Sequence, residues 1–209
     1  GRIIYDNIKK FVFFLLSCNI GEILLIFTSI LFNLPIPLIP IQLLWLNLIT
    51  DSFPALALGV EKGHSGIMNI PPRDPNESII NRSMIRAIAF QSIAITIASL
   101  LAYRWGLRNY GMDNLVIART IVFATLISAE LFRAYSSRSS KHSIFKIGIF
   151  SNKNLNYAVL FSFLLLFAAI YVPFLQGIFH TYPLSIKDWQ IVLIYGILPL
   201  LIGELNKLF

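Results

Sequence analysis

The chain has 209 residues, 56% of them hydrophobic and 13% charged, with a mean hydropathy of +0.73. A soluble domain averages about 25% charged residues, so the composition excludes one and indicates an all-α, polytopic membrane protein. The net charge of +7 is dispersed between hydrophobic segments, where it sets membrane orientation, and nucleic acid is not expected as a partner.

A helix needs about 20 apolar residues to cross the hydrocarbon. Six segments qualify, at roughly 11–32, 39–58, 85–104, 115–134, 155–175 and 188–206. An even number of spans places both termini on one side of the lipid bilayer. That side holds 13 Lys and Arg, in the N-terminal stretch, the loops 59–84 and 135–154 with their margins, and the C-terminus. The other side holds 4, Arg104, Arg108, Arg119 and Lys187. Basic residues favour the inner face, so both termini and both loops are expected to be cytoplasmic.

Residues 1–10 read as the amphipathic start of a long helix that runs from the cytosol into the membrane. The first span then carries Ser17-Cys18-Asn19-Ile20-Gly21-Glu22 in its middle. A carboxylate there costs a few kcal/mol or more, which makes Glu22 a functional candidate. Asn19 and Glu22 are i and i+3 and share a helix face. Pro35 and Pro37 mark the turn to the second span, in which Asn47, Thr50 and Asp51 lie at i, i+3 and i+4, again on one face. Pro54 follows; it frees a backbone carbonyl and reads either as a simple kink or as a local unwinding that aims Asn47, Thr50 and Asp51 at an ion.

The loop 59–84 is rich in Pro and Gly and long enough to dock on a partner; its His64 reads as a solvated residue, with no second His or Cys near it. The third span has small residues, Ala87, Ala89, Ala94, Ala98 and Ser99, that suit helix packing. Glu130 in the fourth span has two readings, an ion ligand or an i,i+3 pair with Arg133. The Ser- and Lys-rich loop 135–154 is expected at the headgroup surface. Aromatic residues at the ends of the last two spans suit interfacial anchoring, and Glu204 reads as pairing with Lys207. All the candidate ligands offer oxygen, which suits Ca²⁺ or another hard cation. Cys18 is the one cysteine; with no partner thiol it is not counted as a ligand.

Asn19-x-x-Glu22 in one span and Asn47-x-x-Thr50-Asp51 in the next resemble the ion site of the P-type calcium-transporting ATPases. So do Gly1–Asn7, Gln42–Leu48, Pro54–Gly59 and Ile67–Arg73, in order along the chain. The stretch from Ser139 to Asn152 is most similar to the secretory-pathway and bacterial branches. The resemblance implies the last six of ten membrane helices. It implies one calcium site from Asn19, Glu22, Thr50, Asp51 and Glu130 and a second to which Asn47 and Asp51 contribute. Two departures bear on this: Ser52 stands where Gly is common, and Arg133 stands beside Glu130 where an amide is common.

Two Ca²⁺ ions need about 12–16 oxygens, and six side chains supply about 7–9. The shortfall agrees with ligands on an earlier helix. The 209 residues hold no Asp-Lys-Thr-Gly-Thr phosphorylation motif. The resemblance therefore implies that ATP and Mg²⁺ act in phosphorylation, nucleotide and actuator domains elsewhere in the parent pump, with no catalytic residue in this chain, which should be inactive by itself. The expected membrane is the plasma membrane or one of the secretory pathway. The alternatives are a pump for Mn²⁺ or Na⁺/K⁺, or a self-contained six-helix channel or carrier.

Overall fold

A computed structural model describes residues 1–63, 78–139 and 142–207. Six helical segments in it are long and apolar enough to cross a membrane. Residues 64–77, which include His64 and the whole Ile67–Arg73 string, lie outside the described residues.

Helix α1, Arg2–Leu31, has 30 residues. At 1.5 Å per residue it is about 45 Å long, well over the hydrocarbon thickness of about 30 Å, so its amphipathic first turns lie beyond the apolar layer. There Asn7 donates to the carbonyls of Gly59 (3.2 Å) and Glu61 (2.7 Å), tying the start of α1 to the end of the second span. The other end of α1 stops before the prolines act. Asn33 adopts φ 51°, Leu34 N–H donates to Ser29 O and Asn33 N–H to Ile30 O. That is the Schellman cap, with asparagine in the left-handed position that glycine usually takes.

The second span is interrupted. Helix α2, Pro40–Trp45, leads into a π-helical turn, Leu46–Thr50, and then helix α3, Ser52–Gly59. The Asp51 N–H reaches back five residues to Leu46 O (3.0 Å). This widened turn, rather than an unwound one, is how the chain accommodates Pro54, which cannot donate to Thr50 O four residues earlier. That carbonyl instead accepts from Ser162 Oγ of the fifth span (3.4 Å), and Ser52 Oγ donates to Asn47 O (3.3 Å). Ser52 thus serves a carbonyl of the widened turn.

Helix α4, Arg82–Tyr110, starts at an Asn81 cap whose side chain accepts from Met84 N–H (2.8 Å), and runs six residues past the expected Arg104. It packs along α1 through hydroxyls: Ser92 donates to Ser17 O (2.9 Å) and Thr96 to Gly21 O (3.2 Å). A Cβ on Gly21 would lie 3.1 Å from Ile95, so glycine permits this close approach. Of the small residues expected to pack, Ala94, Ala98 and Ser99 are buried, Ala87 is half-buried and Ala89 is exposed.

Helix α5, Leu115–Ser136, is the centre of the bundle, touching α1, α3, α4, α7 and α9. Of its most apolar stretch 72% is buried against neighbours, compared with 28–44% for the other five spans. Elsewhere Leu48, Leu56, Ile93 and Leu164 point outward, as lipid-facing residues do.

The short helix α6, Ile144–Ile147, and a 3₁₀ turn, Ile149–Ser151, follow, with Phe145 and Phe150 exposed on them. Arg138 holds this segment. It pairs with Glu61 at 2.7 Å and donates to the carbonyls of Gly148 and Ile149 and to Ser151 Oγ.

Helix α7, Lys153–Tyr171, stops four residues short of the expected Leu175. Val172 precedes Pro173 and is extended, as residues before proline prefer, so a separate helix α8 occupies Pro173–Phe179. Helix α9, Ile186–Leu205, begins with a capping box between Ser185 and Asp188. The expected Glu204–Lys207 pair is present at 2.6 Å, but it is buried and larger than a pair. Glu204 also accepts from Ser136 Oγ (2.8 Å) and Ile144 N–H (2.9 Å), joining α9 to α5 and α6.

Candidate metal centre

Three helices bring ionisable side chains into the middle of the bundle. From α1 come Cys18, which is fully buried, and Glu22, 4% exposed; they are i and i+4 and share a face. From the π-turned second span come Thr50 and Asp51, each 1% exposed, and from α5 comes Glu130, fully buried. The Cys18 sulfur, one oxygen of Asp51 and one of Glu130 lie within 4.8 Å of one another.

That spacing is the size of a cation site. Two ligands on opposite sides of an ion bound at about 2.3–2.6 Å are at most about 4.6–5.2 Å apart. Both oxygens of Asp51, both of Glu130 and Glu22 Oε1 are buried with no hydrogen-bond partner. A buried polar group without a partner costs about 1–3 kcal/mol, more if charged, so the four such oxygens that Asp51 and Glu130 bring together, with the Glu22 oxygen outside their 4.8 Å group, call for a ligand or protons.

Glu22 and Asn47 meet as their two helix faces predict: Asn47 Nδ2 donates to Glu22 Oε2 at 2.6 Å, and also to Leu43 O at 3.0 Å. The donation consumes only the amide nitrogen and leaves the Asn47 side-chain oxygen, Oδ1, for an ion. The Thr50 hydroxyl hydrogen is used within its helix, on Leu46 O (2.7 Å), which leaves its lone pairs. Asn19 stands apart. It is half-buried, and its amide donates back to Leu15 O (2.8 Å).

Arg133 does not pair with Glu130. Although only 1% exposed, it turns to α1 and α4, donating to Ser17 Oγ (2.7 Å), Gln91 Oε1 (3.2 Å) and Phe14 O (3.5 Å). Its guanidinium also lies 4.8 Å from the centre of the Phe13 ring. The i,i+3 spacing made the pair with Glu130 available; a polar cradle on two other helices draws the guanidinium away. Glu130 is thereby left with its two oxygens unpartnered.

Cys18 is the site residue that sequence reasoning passes over. The signal was its i,i+4 relation to Glu22; the spacing alone could not place it against Asp51 and Glu130 from two other helices.

Residues 35–209 match the family described as cation transporting ATPase, C-terminus. The chain is 41% identical over 207 residues to a "Calcium-transporting ATPase" of Bacillus subtilis, covering 98% of this chain and 23% of that protein. It is 40% identical over 190 residues to the human "Calcium-transporting ATPase type 2C member 1", covering 90% of this chain and 20% of that protein. A Saccharomyces cerevisiae "Calcium-transporting ATPase 1" is 34% identical over 211 residues, with 100% and 22% covered. The chain thus spans between a fifth and a quarter of the length of these curated relatives. With a matched membrane domain, six apolar helices and a buried oxygen cluster among them, the chain belongs to the cation-transporting ATPase family, as its C-terminal membrane segment.

Proposed function

We propose that this chain is the ion-binding membrane segment of an ATP-driven calcium pump, with Glu22, Asn47, Thr50, Asp51 and Glu130 as ligands of the transported Ca²⁺ and Asn19 beside them. The observation that carries this reading is the set of buried, partnerless carboxylate oxygens on Glu22, Asp51 and Glu130, drawn from three different helices. The names of the relatives favour calcium as the cargo. Hard oxygen donors suit it.

The same reading places the phosphorylation, nucleotide and actuator domains, with their ATP and Mg²⁺, and the earlier membrane helices in the remainder of the parent protein, and both termini of this segment in the cytoplasm. The contacts from Asn7 to Gly59 and Glu61, and from Arg138 to Glu61, join the start of α1 to the end of α3 and to the 138–151 segment. They supply a path by which movement of the missing domains reaches the ion site.

The test is Asp51→Asn in the full-length pump, read as calcium-activated phosphorylation from ATP. The apparent calcium affinity is expected to fall by about 100-fold or more, since even an outer partner of a metal ligand is worth about 10–100-fold. Phosphorylation with unchanged calcium affinity would overturn the reading. Activation by Mn²⁺ or Na⁺ in place of Ca²⁺ would replace the cargo but keep the site.

A further inference from the structure

We infer that Cys18 is a sulfur ligand of the transported-ion site and gives that site a high affinity for thiophilic divalent cations. The inference rests on the reading of Asp51 and Glu130 as ion ligands and extends it to a residue whose chemistry differs from theirs.

Cys18 is fully buried and is a free thiol. Its sulfur shares a 4.8 Å group with oxygens of Asp51 and Glu130. A buried cysteine alone is commonly a small core residue. Here a second observation points to a ligand: both carboxylates it faces are at least 99% buried and neither has a hydrogen-bond partner on either oxygen. An ion held between Asp51 and Glu130 is therefore held against sulfur as well.

The consequence is one of hardness. Calcium gains little from sulfur, whereas a soft or borderline ion gains a strong bond. Cadmium is the informative probe, because it is close to calcium in size and prefers sulfur. A cadmium ion entering this group bonds to the Cys18 sulfur and to the carboxylate oxygens, and the thiol proton leaves to solvent as the metal–sulfur bond forms. Being close to calcium in size, whose bonds to oxygen run about 2.3–2.6 Å, it fits a group whose ligand atoms lie within 4.8 Å of one another.

The experiment uses the full-length pump in membranes, as wild type, Cys18→Ser, Cys18→Ala and Asp51→Asn. Two quantities are read: the Cd²⁺ concentration that half-blocks calcium-activated phosphorylation, and the near-ultraviolet cadmium–thiolate band of the purified protein titrated with Cd²⁺ alone. The ratio of Cd²⁺ to Ca²⁺ affinity should fall by about 10- to 100-fold in both Cys18 variants. One cadmium–thiolate equivalent should vanish with them and weaken in Asp51→Asn, which separates Cys18 from cysteines elsewhere in the pump. An unchanged ratio and an unchanged band in Cys18→Ser would overturn the inference. Should calcium activation itself prove insensitive to Asp51→Asn, the calcium reading fails, while the cadmium band still decides whether Cys18 and Asp51 share a metal.

Discussion

Gly196 in α9 sits against Ser128 in α5, two residues before Glu130. A Cβ at position 196 would lie 3.0 Å from Ser128 Cβ and 3.6 Å from Ala129 N. Carbon atoms rest at about 3.5–4.0 Å, so Gly196→Ala must part the two helices locally by about 0.5–1 Å. Overpacking of this kind costs about 1–3 kcal/mol, and the better helix propensity of alanine returns up to about 1 kcal/mol. With that offset the net expectation is a loss of up to about 2 kcal/mol. Gly177 in α8 supplies the control, because nothing lies within 4 Å of its Cβ position. Gly177→Ala should be neutral or stabilising.

The assay is thermal unfolding of the full-length pump in detergent, where about 1 kcal/mol corresponds to roughly 2–4 °C for a domain of this size. The same displacement should reach Glu130. Calcium–oxygen bonds span only about 0.3 Å, from about 2.3 to 2.6 Å, so a shift of half an ångström in α5 should weaken calcium activation as well. A Gly196→Ala midpoint at or above wild type, with Gly177→Ala behaving as stated, would refute the packing argument.

Other expectations concern the end of the bundle near Asn7 and Lys207. Arg138→Met breaks an ion pair whose side chains are 4% and 9% exposed, and it also frees the carbonyls of Gly148 and Ile149. Losing one member of a buried pair costs about 3–5 kcal/mol, so the unfolding midpoint should drop and proteolysis within 138–152 should quicken. Adding Glu61→Gln should recover part of the loss, and a full loss in the double variant would count against the pair. Glu204→Ala strips the acceptor from Lys207, Ser136 and the Ile144 amide, and should cost about 3 kcal/mol or more. Lys207→Met in the same background should restore stability in part, because the stranded ammonium is then gone; no recovery would show that the cost lies elsewhere. Asp51→Asn and the Cys18 variants carry the expectations for ion binding given above.

Much of the site was readable from spacing. Asn47 and Glu22 meet because each lies on the same helix face as its neighbours, and a short Pro35–Pro37 turn makes their helices adjacent. The Glu204–Lys207 pair follows from i,i+3 geometry in the same way. Periodicity and hydropathy are local properties, so they determined the six spans, the polar faces within them and the oxygen chemistry of the candidate ligands.

What lay beyond the sequence depended on how helices rotate against one another. Pro54 announced a disturbed turn. That the disturbance is a π turn, with Thr50 O served by Ser162 and Asn47 O by Ser52, required α7 beside α3. Arg133 had Glu130 within sequence reach, but Ser17, Gln91 and the Phe14 carbonyl come from α1 and α4 and form a more complete cradle. Cys18 looked solitary because its partners lie 33 and 112 residues away along the chain and only packing around α5 brings them within 4.8 Å. Sequence by itself determined which groups must leave the lipid. Tertiary structure decided which of them meet, because convergence from three helices is set by close packing at glycines such as Gly21 and Gly196 and by the central position of α5.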